Sequence, residues 1–451
     1  MEDNMNNALK HLAKSGIKRR DFLKTMSAVG ALSVIGTTQA HAFSSKATGR
    51  IAIIGGGAAG LCMAARLNRW LDNPDITLID PSDRQFYQPG FTLIASGVYE
   101  ADEVYKTQES CIPDGVKWVK DSVVAVDPHK NSITTTKSGE ILYDFLVLTP
   151  GLQMNFNLVE GITRETLGQG NAHCIYDYVG AQRTWQAMPK FTQTGGVGIY
   201  TDTYTKHKCG GAPKKICLLT EDYARKHNTR DKIELNFFTA SPQLYNVPLY
   251  TPRLLEIYKE RNVSISLQHK LKSIDTSSKK VTFEQTAGDV VTPLTLDYDF
   301  LHFTPPMSAP DFVRDAGLGW TEGKLARESW VMVDKETLQH LTYPNIFSLG
   351  DCAGVPTSKT SAAIRMQAPI AAKNLIAVME GNPPTERYNG YAACPIITEY
   401  GKILMCEFDY NKDALPSMPF IDASQEQWYA WLLKVYILKP MYFYGMLNGI
   451  M

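Results

Sequence analysis

The stretch from Arg50 to Gly60 constrains this chain more than any other. Arg50 to Ile54 is a short apolar run that feeds Gly55-Gly56-Gly57-Ala58-Ala59-Gly60 and then an Ala-, Leu- and Arg-rich segment. That order predicts strand, tight turn and helix, with a G-x-G-x-x-G frame on Gly55, Gly57 and Gly60. The first glycine permits the turn, the second lets a backbone approach a pyrophosphate, and the third packs helix on strand. The helix N-terminus then offers unpaired N–H groups and the positive end of its dipole to phosphate. A second apolar run, Ile76 to Ile79, ends in Asp80, twenty residues beyond Gly60, where a ribose-binding carboxylate belongs in a dinucleotide site.

Two later segments say which dinucleotide. Tyr143 to Leu148 reads as a buried strand that ends in Thr149-Pro150-Gly151, and Asn345 to Leu349 as another that closes on Gly350-Asp351. Asp351 can hydrogen-bond a ribityl chain, which FAD has and NAD lacks. This layout resembles the two-dinucleotide flavoprotein disulfide reductases, and it implies FAD as cofactor. NADH-dependent members carry a second glycine fingerprint mid-chain. Here Gly195-Gly196-Val197-Gly198 puts its glycines before or within a strand, and no G-x-x-G follows. The close approach that a second pyrophosphate needs is missing, so the electron partner is not expected to be a nicotinamide.

Lys plus Arg and Asp plus Glu both number 46. With no basic excess, no nucleic-acid partner is expected. Eight cysteines form no C-x-x-C, no zinc-like spacing with histidine and no C-x-x-C-H, so neither a metal site nor covalent haem is predicted. Cys62 and Cys352 read as small buried residues, and Cys111, Cys174, Cys217 and Cys406 have no chemical context. Two cysteines do. Cys209 lies in Lys206-His207-Lys208-Cys209-Gly210-Gly211-Ala212-Pro213-Lys214-Lys215, and such positive neighbours favour the thiolate and attract anions such as HS⁻. Cys394, in Tyr391-Ala392-Ala393-Cys394-Pro395, has small neighbours that suit a backbone held near a ligand. Spacing alone leaves this one pairing among many.

Three segments, Asp80 to Pro89, Lys208 to Lys215 and Pro356 to Thr360, together resemble the sulfide:quinone oxidoreductases. The tail segments Cys394 to Thr398, Glu407 to Tyr410 and Met441 to Gly449 are similar to the eukaryote-type, mitochondrial-like branch. The resemblance runs from about residue 50 to the C-terminus. It implies that Cys209 and Cys394 form a redox pair whose disulfide is attacked by hydrogen sulfide. Cys394 would hold the persulfide and Cys209, as thiolate, would pass two electrons to FAD. A membrane quinone would take them, and a small nucleophile (sulfide, sulfite or a thiol) would remove the sulfane sulfur. Lys215 and Lys434 match lysines near the reaction and quinone region. Gln88 and Lys359, within matched segments, join Gly55, Gly57, Gly60, Asp80, Thr149, Gly151 and Asp351 as expected cofactor-binding residues.

The alternatives are the flavin subunit of a flavocytochrome c-type sulfide dehydrogenase, a type II NADH:quinone oxidoreductase, and a non-catalytic flavin or persulfide sensor. The first places its second cysteine upstream of the Gly-Asp motif, whereas Leu218 to Gly350 contains none. The second is discounted by the absent second fingerprint, and turnover separates the third.

The ends of the chain carry addresses. Lys18-Arg19-Arg20-Asp21-Phe22-Leu23-Lys24, the mild apolar stretch Met26 to Ile35 and Ala40-His41-Ala42 together resemble a Tat export signal with its cleavage site. This predicts a periplasmic location on the inner membrane. Trp428 to Met451 is aromatic and aliphatic with Lys434 and Lys439 interposed, which suits a membrane interface. Pro440 is expected to break it into two helical pieces, each too short to span. A packing helix or a seam between copies in a homo-oligomer is the other reading. The fold expected is α/β, with two Rossmann-like dinucleotide-binding domains and a C-terminal amphipathic helical membrane segment. The expected division is 1–42 signal, 43–155 first FAD-binding part, 156–300 second Rossmann-like domain, 301–380 second FAD-binding part, and 381–451 redox, quinone and membrane segment.

Overall fold

The computed structural model describes residues 43–451. The Tat motif and cleavage site expected at 18–42 lie outside the described residues. The chain opens with strand β1 (Arg50–Ile54) and helix α1 (Ala58–Trp70), then β2 (Asp75–Ile79), β3 (Lys117–Val119) and β4 (Phe145–Leu148). It leaves this sheet to build a second one. That sheet contains β5 (Ala172–His173), β6 (Gly196–Thr201), β7 (Ile233–Phe238), β8 (Val263–Ser266) and β9 (Phe300–His302). Helices α2 (Tyr178–Thr194) and α3 (Ala212–Lys226) flank β6 in sequence. The chain then returns with β10 (Ile346–Ser348) and helix α4 (Ser361–Met379).

The first sheet has the order β10-β4-β1-β2-β3 and the second β5-β9-β6-β7-β8. All neighbouring pairs in both are parallel. Parallel sheets are covered on both faces, so their strands read as apolar runs. Accordingly Ile51 to Ile54 and Leu146 to Leu148 are buried. The architecture is an α/β fold of two Rossmann-like units. Strand β9 pairs with both β5 and β6, so it belongs whole to the second sheet although it straddles residues 300 and 301.

Two short antiparallel pairs follow: β11 (Ala392–Ala393) with β14 (Glu407–Phe408), and β12 (Ile396–Glu399) with β13 (Lys402–Leu404). They bring Cys394 back against the second sheet's α3, which packs on β12.

The C-terminal tail departs from its expectation. Pro440 does not break it. The backbone stays helical from Trp428 to Met446, with wide π turns at Leu433–Ile437 and Met441–Met446. In an α-helix proline lacks a donor and its ring strikes the preceding turn's carbonyl; wide π turns re-space the backbone and relieve that clash. Among the described residues no helix is long and apolar enough to cross a membrane. Much of the tail packs on the first domain, where Tyr99 Oη donates to the Val435 carbonyl at 2.5 Å. Buried Tyr442 donates to the Phe86 carbonyl at 3.1 Å and accepts from Gln85 Nε2 at 2.9 Å. Replacing Tyr442 by Phe leaves a buried amide donor unpaired, which costs about 1–3 kcal/mol. A lowered urea midpoint is the expected result, and an unchanged midpoint would show that these bonds do not anchor the tail.

Candidate active site

The glycine turn after β1 has the geometry its sequence demands. Gly55 has φ +93°, and a Cβ there would stand 2.3 Å from the Thr149 carbonyl oxygen. A Cβ on Gly60 would lie 1.8 Å from the Gly55 carbonyl oxygen, so only glycine lets α1 close on β1. A Cβ on Gly57 would meet nothing within 4 Å, because it faces the open cleft. Asp80, just past β2, accepts from the Gly56 N–H at 2.6 Å and the Ser82 N–H at 2.7 Å, and burial raises its pKa. Thr149 Oγ1 donates to the carbonyls of Ile54 and Gly55 at 2.9 and 3.1 Å, tying β4 to the turn.

Gly55, Gly57, Asp80 and Thr149 line a cleft of about 1460 Å³ together with Gln88, Gly151, Asp351 and Lys359, while Gly60 packs beneath the turn. Ligand cavities are usually about 300–1,000 Å³, so this one has room for more than one occupant. It runs from the glycine turn to the C-terminal tail, where Leu433, Ile437 and Met441 form its wall. The cradle at one end fits the pyrophosphate of FAD. Asp351, whose carboxyl is pushed up by burial, faces the cleft where a ribityl chain would lie.

Two expected cofactor contacts have other duties. Gln88 Oε1 accepts from Lys208 Nζ at 2.6 Å. Lys359 Nζ donates to the carbonyls of Asp351 and Ala353 at 2.6 and 3.0 Å and sits 3.6 Å above the Trp330 ring. Burial lowers the Lys359 pKa to about 7. Its side chain thus braces the Gly350-Asp351 loop. Its own carbonyl accepts from the Cys209 N–H at 3.0 Å, which moors the first cysteine beside the cofactor cleft.

Cys209 lies on the loop between β6 and α3. In nicotinamide-binding units that connection carries the phosphate-binding glycines; here a buried Asp202–Lys214 ion pair, 3.0 Å apart, and the cysteine occupy it. Cys209 has φ +46°, a left-handed conformation uncommon outside glycine. Neighbours fix it: its carbonyl accepts from the Ala212 N–H at 2.8 Å and from Tyr176 Oη at 3.1 Å. Its Sγ is 3.2 Å from that of Cys394. Lys215 Nζ donates to Cys209 Sγ at 3.1 Å, and the Gly211 N–H to Cys394 Sγ at 3.3 Å. A Cβ on Gly211 would stand 2.9 Å from Cys394 Sγ, so glycine is what admits the second sulfur.

The charges around the pair are asymmetric. The Cys394 thiol donating to Cys209, then the Lys215 ammonium, hold Cys209 well below the usual thiol range despite its burial. The same contact, with burial, pushes Cys394 well above it. The proton therefore rests on Cys394 and the negative charge on Cys209. Burial would lower the Lys215 pKa, but the two sulfurs outweigh it and raise it. Lys434 donates to the Pro89 carbonyl at 2.9 Å, and burial and then Lys215 lower its pKa to about 7.

Sequence reasoning missed Gln108, whose Nε2 donates to the Gly56 carbonyl at 2.8 Å and supports the turn. It also missed Tyr176, and Tyr391, whose Oη donates to Glu407 Oε1 on the cleft wall at 2.5 Å. No local pattern marks them, because their partners are remote in sequence.

Residues 49–187 match the family model described as pyridine nucleotide-disulphide oxidoreductase. The mitochondrial sulfide:quinone oxidoreductase of Dictyostelium discoideum is 39% identical over 89% of this chain and 86% of its own length. The mitochondrial protein of the same name from Mus musculus is 36% identical over 88% and 86%. The chain belongs to the sulfide:quinone oxidoreductase family. The solved sulfide:quinone oxidoreductase of Aquifex aeolicus shares the fold, with a TM-score of 0.72 at 21% identity over 89% of this chain and 92% of that one. FAD is the cofactor of such sulfide:quinone oxidoreductases, and the cradle described above fits it.

Lys215→Met removes the ammonium nearest the Cys209 sulfur while keeping similar bulk. In the reduced protein, the pH midpoint for alkylation of Cys209 should then move upward by about one unit or more, as expected for loss of an adjacent charge. An unmoved midpoint would show that Lys215 does not set the thiolate.

Proposed function

We propose that this protein oxidises hydrogen sulfide to sulfane sulfur through the Cys209–Cys394 pair and passes two electrons by way of FAD to a membrane quinone. One observation carries this reading: two thiols 3.2 Å apart of which Cys209 lines the cofactor cleft and Cys394 does not. In the oxidised pair, HS⁻ attacks Cys394. The Cys209–Cys394 bond breaks, leaving a Cys394 persulfide and a Cys209 thiolate. A thiol of lower pKa leaves faster, and the Lys215 ammonium beside the Cys209 sulfur favours this direction over the reverse assignment. Lys215 stabilises the departing sulfur, and the Gly211 N–H orients Cys394. Bound FAD supplies the two-electron acceptor beside Cys209 and the donor to quinone. Sulfide, sulfite or another small thiol then takes the outer sulfur from Cys394.

The outer part of the cleft, walled by the C-terminal helix, suits the quinone. Lys434 stands at its inner end, and its lowered pKa makes it able to give or take a proton near neutrality. This chain has neither the phosphate turn after β6 that the nicotinamide alternative needs nor the cysteine between Leu218 and Gly350 that the cytochrome-linked alternative needs. Anaerobic addition of sulfide should bleach the flavin, and decylubiquinone should restore it. Cys209→Ser and Cys394→Ser should each keep bound FAD and lose sulfide-dependent bleaching by several orders of magnitude, as when a covalent nucleophile is removed. Bleaching by NADH and not by sulfide would overturn the reading.

We also propose that the protein is exported by Tat and works at the periplasmic face of the inner membrane, with its tail in the interface. The twin-arginine motif supports the first part. Exposed Tyr444 and Ile450 at the cleft wall support the second, since apolar rings and chains beside lysines suit the headgroup boundary. The double variant Tyr444→Glu, Ile450→Glu should sediment less with vesicles of membrane lipid than the parent does. Equal sedimentation would sink the interface assignment.

A further inference from the structure

Cys406 had no role in the sequence and has none in the chemistry above. Strand β11 pairs antiparallel with β14, Ala392 opposite Phe408 and Ala393 opposite Glu407. One step further sets Cys394 opposite Cys406, and the Cys394 N–H donates to the Cys406 carbonyl at 2.8 Å, so the register holds there. Directly opposed residues share a face of the ladder, with Cβ atoms about 4.5–5.5 Å apart. The alternation tells which face. Ala393, Pro395, Met405 and Glu407 line the cofactor cleft; Cys394 and Cys406, between them, turn away from it and are buried.

That far side also holds a buried hydroxyl. Tyr245 is buried, and its hydroxyl lies beside the Cys406 thiol. Lys215 adds positive charge at both Cys394 and Cys406. A thiol, a hydroxyl and an ammonium thus stand on the same side of the ladder as the Cys394 sulfur. A persulfide lengthens the Cys394 side chain by an S–S bond of about 2.05 Å, on the face of the ladder that Cys406 shares.

We propose that Cys406 is an internal acceptor of sulfane sulfur, taking it from the Cys394 persulfide directly opposite across the β11–β14 ladder. This rests on the sulfide reading above. In the step, Cys406 Sγ bonds to the outer sulfur of the Cys394 persulfide anion and the Cys394–sulfur bond breaks. The Cys406 proton passes to the migrating sulfur, giving a Cys394 thiolate and a Cys406 persulfide. One S–S bond replaces another, charge and protons are conserved, and no oxidant is consumed. Cys394 is meanwhile free to close again on Cys209, with two electrons leaving through the cofactor, before an external acceptor arrives.

The test uses oxidised holoenzyme, one equivalent of sulfide, no added acceptor, and rapid quenching with an alkylating agent. Lys402 lies between the two cysteines, so tryptic peptides separate them for mass spectrometry. An extra sulfur on the Cys406 peptide is expected, lost in Cys394→Ser because transfer must pass through Cys394. In Cys406→Ala the sulfur should stay on Cys394. Extra sulfur confined to Cys394 in the parent protein, or found on Cys406 in Cys394→Ser, would overturn the relay and leave the sulfide reading standing. Extra sulfur on neither peptide would overturn both.

Discussion

The contact between Cys209 and Cys394, 185 residues apart in sequence and 3.2 Å apart in space, is the constraint on which the rest of the site depends. Neither sulfur is placed by one element alone. Cys209 is held in a left-handed backbone conformation by bonds at both its amide and its carbonyl, one reaching the Lys359 loop and others reaching Ala212 and Tyr176. Cys394 is held by the short β11–β14 ladder and by the Gly211 amide. Residues in sparsely populated conformations persist where the surroundings over-determine them. Here both sheets and the C-terminal segment contribute to that.

Bringing the sulfurs together also sets their chemistry. Lys215 and Lys434 are both buried near the pair, and burying an ammonium without a partner is expensive. Lys215 offsets that cost by facing sulfur, and its pKa rises. Lys434 has only a backbone carbonyl as a hydrogen-bond acceptor, and its pKa falls to about 7. One lysine is thereby kept charged to hold a thiolate, while the other is poised for proton exchange. The β11–β14 ladder then divides the surroundings. Its odd-numbered positions face the cofactor cleft, and Cys394 and Cys406 face the opposite side. Of the three cysteines only Cys209 meets the cleft.

Much of this was legible because it is local. The strand–turn–helix at Arg50 to Gly60, Asp80 after β2, and the Gly350-Asp351 closure are each written within a few residues, and each depends on backbone space that only particular residues leave. The absent second glycine turn was legible for the same reason, and β6 runs into the cysteine loop where that turn would lie. Reading the tail went wrong at Pro440, since the rule that proline ends a helix assumes α spacing and the chain uses π turns instead. Gln88 and Lys359 were placed at the cleft, yet their polar ends are taken by Lys208 and by the Asp351 and Ala353 carbonyls. Sequence shows which residues approach a site and not which neighbour claims their hydrogen bonds.

By itself the sequence determined the dinucleotide turn, the lack of a second one, the positive setting of Cys209 and the apolar character of the tail. Each follows from residues adjacent along the chain or spaced by a fixed helical or strand period. The family resemblance implied that Cys209 pairs with Cys394 near Lys215 and Lys434; the tertiary structure alone decided the contacts that hold them there, and that Cys406 stands opposite Cys394. Those relations cross between sheets and across strands whose connections have no fixed length, so no spacing encodes them. They arise only when the two parallel sheets and the final hairpins bury their apolar faces together and leave the sulfurs nowhere else to go.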